Sequence, residues 1–217
     1  MNKQHIEKKS NKLIEDYFKH NNKSITAPIP TIDILEYLGY DIDFRSDGLY
    51  KNKDILGGVI PKEKKVELNE SLTKNEGRLN FTIAHEIGHI ILHVNNEDND
   101  FFFRSDNNCE DENKINDKKR KLIENEADQF AAYLLMPSNI IKESFFKLYN
   151  KPVNVAKFSF INFLLRKSKL QKAFLIARKI SDTGNFNNVS KTAILNRLIG
   201  LRLIRGIPYQ TYKIKRR

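Results

Sequence analysis

The sequence predicts an α+β fold, in which a small sheet is laid down early and helices carry the rest of the chain. Three observations lead there. Runs with strand character are concentrated within residues 41–68. The segments on either side carry apolar residues at helical spacing. The first long helical stretch after the strands holds the compact motif His85-Glu86-Ile87-Gly88-His89.

Residues 5–20 read as an amphipathic helix with Ile6, Leu13, Ile14, Tyr17 and Phe18 on its apolar side. After Pro28 and Pro30, Thr31 reads as the N-cap of a helix over residues 32–38, which Gly39 closes. Residues 41–44 alternate polar and apolar like a strand. Residues 49–50, 55–60 and 66–68 are further strands, with residues 61–64 as the turn between the last two. The strand just before the motif is expected to offer a free edge on which an extended substrate backbone can pair. Residues 95–120 form a polar segment, interrupted by Phe101-Phe102-Phe103, which reads as a short strand or a flap. Residues 121–136 return to helical spacing and stop before Pro137. Helices are then expected over residues 138–149, 161–180 and 190–199, the last capped by Ser190.

The motif at residues 85–89 carries chemistry. On a helix, residues four apart share a face, so His85 and His89 can point at one metal ion. Glu86 then sits beside an open coordination position and can take a proton from the attacking water. Zinc would polarise a peptide carbonyl and lower the pKa of a bound water to about 7. The uncharged flanks, residues 81–84 and 90–92, suit a helix buried on most of its surface. Burying two imidazoles and a carboxylate there is costly unless something pairs with them. A metal does so. Gly88, poorer than Ala in a helix by about 1 kcal/mol, is compatible with close packing of another backbone.

A zinc site of this kind needs a third protein ligand. His93 extends the series, but eight residues of helix separate it from His85 by about 12 Å along the axis. Ligands about 2 Å from one ion cannot be spread so far. Residues 121–136 offer a better source: Ile123, Ala127, Phe130, Ala131, Leu134 and Leu135 make an apolar face, and Glu124 and Asp128 sit four apart. Glu124 can bind the metal while Asp128 accepts the spare N–H of a ligating histidine and fixes its tautomer. The plain alternative is a solvated acidic face made by Glu124 and Glu126, and Glu126 competes for the ligand role.

Residues 78–93 (RLNFTIAHEIGHIILH) followed by residues 124–137 (ENEADQFAAYLLMP) resemble the ImmA/IrrE family of metallo-endopeptidases. Residues 28–44 resemble its short helix and first strand, and residues 57–71 its hairpin before the active-site helix. The resemblance covers about residues 5 to 140. It implies a zincin-like, gluzincin-like catalytic domain with a small antiparallel or mixed sheet, with His85, His89 and Glu124 as zinc ligands and Glu86 as general base. Many members carry Asn where this chain has Asp128, a change that keeps a hydrogen-bond acceptor. It also implies a helix-turn-helix transcriptional repressor as substrate, in a phage, another mobile element or a stress response. A donor for the oxyanion is needed; His93 and Tyr133 are the candidates.

At 217 residues the chain suits one or two domains. A polar start, no apolar run of about 18 residues and a single cysteine, Cys109, lead to the expectation of a cytoplasmic protein without a membrane anchor. The net charge of +11 is unevenly placed. From residue 151 onward there are 16 Lys or Arg against one acid, Asp182, a net +15, whereas the first 150 residues carry 22 basic and 26 acidic side chains. We therefore expect a peptidase domain over residues 1–150 and a basic, helical, winged or helix-turn-helix-like region over residues 151–217. That region is expected to meet nucleic acid or an acidic partner. Its plain alternative is a packed helix with Arg197 and Arg202 in water. The competing functional reading is a non-proteolytic regulator or toxin-like protein that binds DNA or a cognate repressor or antitoxin.

Overall fold

The computed structural model describes residues 1–46, 49, 55–94, 102–105, 114–156 and 168–210. The fold is α+β, and the chain divides into two compact units: Met1–Ile25 with Ile29–Leu135, and Thr26–Pro28 with Met136–Arg217.

In the first unit, helix α1 (Lys3–His20) is capped by the Asn2 side chain, which accepts from the Gln4 N–H, and it buries Ile6, Leu13, Ile14, Tyr17 and Phe18. Helix α2 (Thr31–Tyr37) starts one residue earlier than its sequence suggests. Thr31 is therefore not the N-cap. Its hydroxyl instead donates to Asn80 Oδ1 at 2.7 Å, tying α2 to the helix that carries the motif. Gly39, at φ +77°, reverses the chain into the sheet.

Four strands follow: β1 (Asp41–Arg45), β2 (Ile55–Ile60), β3 (Lys65–Asn69) and β4 (Phe102–Ser105). Their order is β1-β3-β2-β4, with β1 parallel to β3 and the other two pairings antiparallel. β2 and β3 are joined by a 3-10 turn, Pro61–Glu63, with Lys64 at φ 52°. This order corrects one expectation. β3, the strand before the motif, has no free edge, because β1 and β2 pair with its two sides. Among the described residues the free edges belong to β1 and β4, and β4 lies beside β2. Residues 102 and 103 thus belong to a strand, while Phe101 lies outside the described residues.

Helix α3 (Glu76–Leu92) begins at Asn75, whose side chain accepts from the Arg78 N–H, and has Glu76 in its first turn, where a negative charge meets the helix dipole. Eight consecutive residues, Thr82 to His89, are buried. A helix buried on every side needs neighbours all round. The sheet supplies one neighbour and helix α4 (Lys114–Leu135) another. Because α4 begins well before residue 121, the basic run at residues 118–121 rides on its opening turns and is not loop. Ala127, Phe130, Ala131, Leu134 and Leu135 all point into the core.

Gly88 is where α3 and α4 come closest. A Cβ there would lie 3.1 Å from both Cα and O of Ala127 and 3.3 Å from Phe130 Cβ. Any side chain would push against backbone, which cannot rotate away.

The second unit holds α5 (Ser138–Phe146), β5 (Val153–Asn154), α6 (Lys169–Thr183), α7 (Lys191–Gly200) and β6 (Ile204–Arg205). α5, read from sequence as part of the first domain, is grouped here with the basic region. β5 and β6 form a parallel pair across the α6–α7 segment. Helix α6 opens on a reciprocal capping box between Ser168 and Gln171, and α7 on Ser190, which accepts from the Ala193 N–H. The helix expected from residue 161 is described only from Lys169; residues 157–167 lie outside the described residues. Arg197 is not in water. It is 8% exposed and donates from Nε to the Met136 carbonyl at 3.0 Å. Arg202 is exposed. Asn196 is also engaged, donating to the Gln210 carbonyl and accepting from its N–H. Among the described residues, no helix is long and apolar enough to cross a membrane.

Gly88→Val tests the helix contact. Val is a better helix former than Gly by a few tenths of a kcal/mol, but overpacking against backbone costs about 1–3 kcal/mol. Net destabilisation in a urea titration is the expected result. Stability equal to that of the unsubstituted chain would show that the two helices can move apart freely.

Candidate metal centre

Close packing of α3 on α4 brings together side chains 35 to 43 positions apart in sequence. His85 and His89, one turn apart on α3, are 1% and 0% exposed. Their Nε2 atoms face each other at 2.9 Å. From α4, Glu124 Oε2 lies 3.2 Å from His85 Nε2, and Oε1 lies 3.5 Å from His89 Nε2. One ligand atom from each of the three falls within 4.8 Å of the others.

These separations match what a small cation requires. Tetrahedral ligands at 2.0–2.1 Å from zinc stand about 3.3 Å from one another. The donor set also fits. His85 Nδ1 is 2.9 Å from Asp128 Oδ1. When that nitrogen carries the proton it donates to the carboxylate, and the Nε2 lone pair then faces Glu124 and His89. Electron-pair donors converging in this way repel one another unless a cation sits among them.

The electrostatics agree. Burial pushes His89 below the ordinary imidazole range and so favours the neutral, ligating form, against the opposing pull of Glu124. Burial alone would raise Glu124; the two imidazoles beside it outweigh that and hold the carboxyl well below the usual range.

The helix also explains which acid is brought in. Glu126, two residues after Glu124, lies about 200° further round α4. It pairs with the amino group of Met1 and lies 3.7 Å from His93 Nε2. His93 is the C-cap of α3 and lies outside the ligand cluster, its ring centre 5.6 Å from that of His89. Burial, followed by the neighbouring His89, lowers its pKa to about 4. Tyr133 stands nine residues beyond Glu124, about 13 Å along α4 and on its opposite face. Cys109 lies outside the described residues.

Glu86 is fully buried beside His85. Its carboxylate rests against Gly57 of β2, a neighbour that the sequence reading passed over. The available signal was the Gly57-Gly58 pair inside a strand, since a strand glycine often marks a close approach of other atoms to the backbone.

The family model for the IrrE N-terminal-like domain, Peptidase_M78, matches residues 40–160. The chain belongs to this family. The matched span is more than half of the chain and runs from β1 past α5, so it contains His85, Glu86, His89, Glu124 and Asp128. Peptidase_M78 is a metallopeptidase family, and membership in it points to a peptidase-type function with a protein as the class of substrate. No curated protein matches the chain.

The geometry predicts one divalent metal per chain. Elemental analysis of the purified protein is expected to show stoichiometric metal, lost in Glu124→Ala and kept in Glu126→Ala. The reverse pattern would assign the ligand role to Glu126.

Proposed function

We propose that this Peptidase_M78 member is a zinc-dependent endopeptidase that cleaves a helix-turn-helix transcriptional repressor. His85, His89 and Glu124 hold the metal, and Glu86 serves as general base. The observation that carries the reading is the convergence of two buried imidazoles and a carboxylate within about one zinc coordination sphere, with the buried Glu86 adjacent to it.

Two histidines and one carboxylate are the ligand set of a zinc site that keeps a position open for chemistry. When bound, zinc supplies a Lewis acid that polarises the scissile carbonyl and makes water acidic enough to react near pH 7. The chain's own residues do the rest. Asp128 accepts the Nδ1 proton of His85, which fixes the ring's orientation and leaves Nε2 free to ligate. Glu86 takes a proton from the attacking water and hands it to the leaving amine. Burial of residues 82–89 keeps bulk water from this carboxylate and strengthens its electrostatic action. An extended substrate segment can pair with the free edge of β4, beside β2, whose Gly57 touches Glu86.

Family resemblance and charge support a repressor as the substrate. A net +15 after residue 150 attracts an acidic partner or a repressor already on its operator. Base reading by α7 is the less favoured use of that charge. Arg197 and Asn196 are occupied within the unit, and Lys191 is the one exposed charged residue of this helix. The basic surface is better suited to steering than to sequence readout.

Glu86→Gln tests the mechanism. The amide matches the carboxylate in size but cannot accept the proton. The variant is expected to keep its zinc and its melting temperature while losing cleavage of a purified helix-turn-helix repressor that the unsubstituted chain cleaves. Cleavage near the unsubstituted rate would remove Glu86 from the reaction. Absence of cleavage by the unsubstituted, zinc-loaded chain would favour the non-proteolytic regulator.

A further inference from the structure

We infer that Gly57 is a positioning residue for Glu86, a strand position whose missing side chain sets where the carboxylate rests. The inference builds on the proposed role of Glu86 as the proton carrier. β2 runs against the side of α3 that carries Thr82 and Glu86, one helical turn apart. A Cβ on Gly57 would stand 2.7 Å from Glu86 Oε1, 2.9 Å from Thr82 Cγ2 and 3.2 Å from Leu68 Cδ2. The glycine is required for space. Its backbone is not in the left-handed region, so conformation alone would admit any residue.

Either the strand or the carboxylate would have to yield to that Cβ, and the strand is the better held. Gly57 lies opposite Leu68 of β3 on one side and Arg104 of β4 on the other. A register shift against β4 falls between Ile55 and Gly57, and the Asn69 amide donates to the Ile55 carbonyl at 3.3 Å, securing the shifted segment. Glu86 hangs on a flexible side chain with no exposed surface, so the carboxylate must turn away from β2 within a closed space. Proton transfer needs heavy atoms about 2.6–3.2 Å apart. Misplacement by about 1 Å can cost about a hundredfold in rate. The bare backbone at Gly57 is therefore a wall against which the base is set.

The test uses the full-length, zinc-loaded chain with an internally quenched peptide library as probe, and compares Gly57→Ala, Glu86→Gln and Gly57→Ala with Thr82→Ser. Gly57→Ala is expected to keep its zinc and KM while kcat falls by about a hundredfold. Removing the Thr82 methyl should not restore kcat, because the carboxylate contact remains. A second readout needs no catalysis. Gly57→Ala should lower the melting temperature by about 3–6 °C in the Glu86 chain and by much less in a Glu86→Ala background, where the colliding carboxylate is gone. Wild-type kcat in Gly57→Ala beside an inactive Glu86→Gln overturns the positioning role and leaves the peptidase reading intact. Recovery of kcat by Thr82→Ser reduces Gly57 to a packing residue and overturns it as well. Equal cleavage by the unsubstituted chain and Glu86→Gln overturns the peptidase reading together with the inference built on it.

Discussion

The backbone contact between Gly88 of α3 and Ala127 of α4 is the constraint on which the rest of the site depends. Two imidazoles at i and i+4 are fixed relative to each other by helix geometry alone. The distance from them to a carboxylate on another helix is not. It is set by how near the second helix can come, and at Gly88 nothing but hydrogen separates the two backbones. That approach puts Glu124 within 3.5 Å of both His85 and His89, and the next turn of α4 puts Asp128 on the far nitrogen of His85. Moving α4 outward by the width of a methyl group would leave the histidines intact and separate them from both acids.

α3 is held from its other side by the sheet, and the two contacts divide the labour. α4 brings the ligands, and β2 supports Glu86. Each contact passes through a glycine, and in each case the glycine serves closeness, not an unusual backbone angle. Residues 82–89 can therefore be buried with three ionisable side chains among them, a combination that desolvation would otherwise disfavour.

Much of this was legible in the sequence because it is local. The i,i+4 histidines, the apolar period of residues 121–136, the caps at Ser190 and Gly39 and the turn at Pro61 all follow from short-range rules. Glu124 and Glu126 could not be separated by apolar pattern alone, whereas the 200° between them on a helix separates them once α3 is known to be the partner. The free edge of the sheet was misassigned because strand order is non-local. β3 looks like an edge strand when read beside the motif, yet β1 returns parallel to it and closes that side. Thr31 looked like a cap, and its hydroxyl was taken by Asn80, 49 residues away. Gly57 was visible as a glycine, but its neighbour was not.

The basic second unit shows the same limit. Its charge was plain, but charge does not say which cations face outward. Arg197, which a packed amphipathic helix would have left in water, is used inside the unit. The account as a whole stands on one claim, that α3 and α4 together hold a metal. X-ray absorption at the zinc edge of the stoichiometrically loaded chain tests it most directly. The account predicts a shell of nitrogen and oxygen at about 2.0–2.2 Å with the outer-shell signature of two imidazoles. A sulfur shell near 2.3 Å, or a single imidazole, would contradict it.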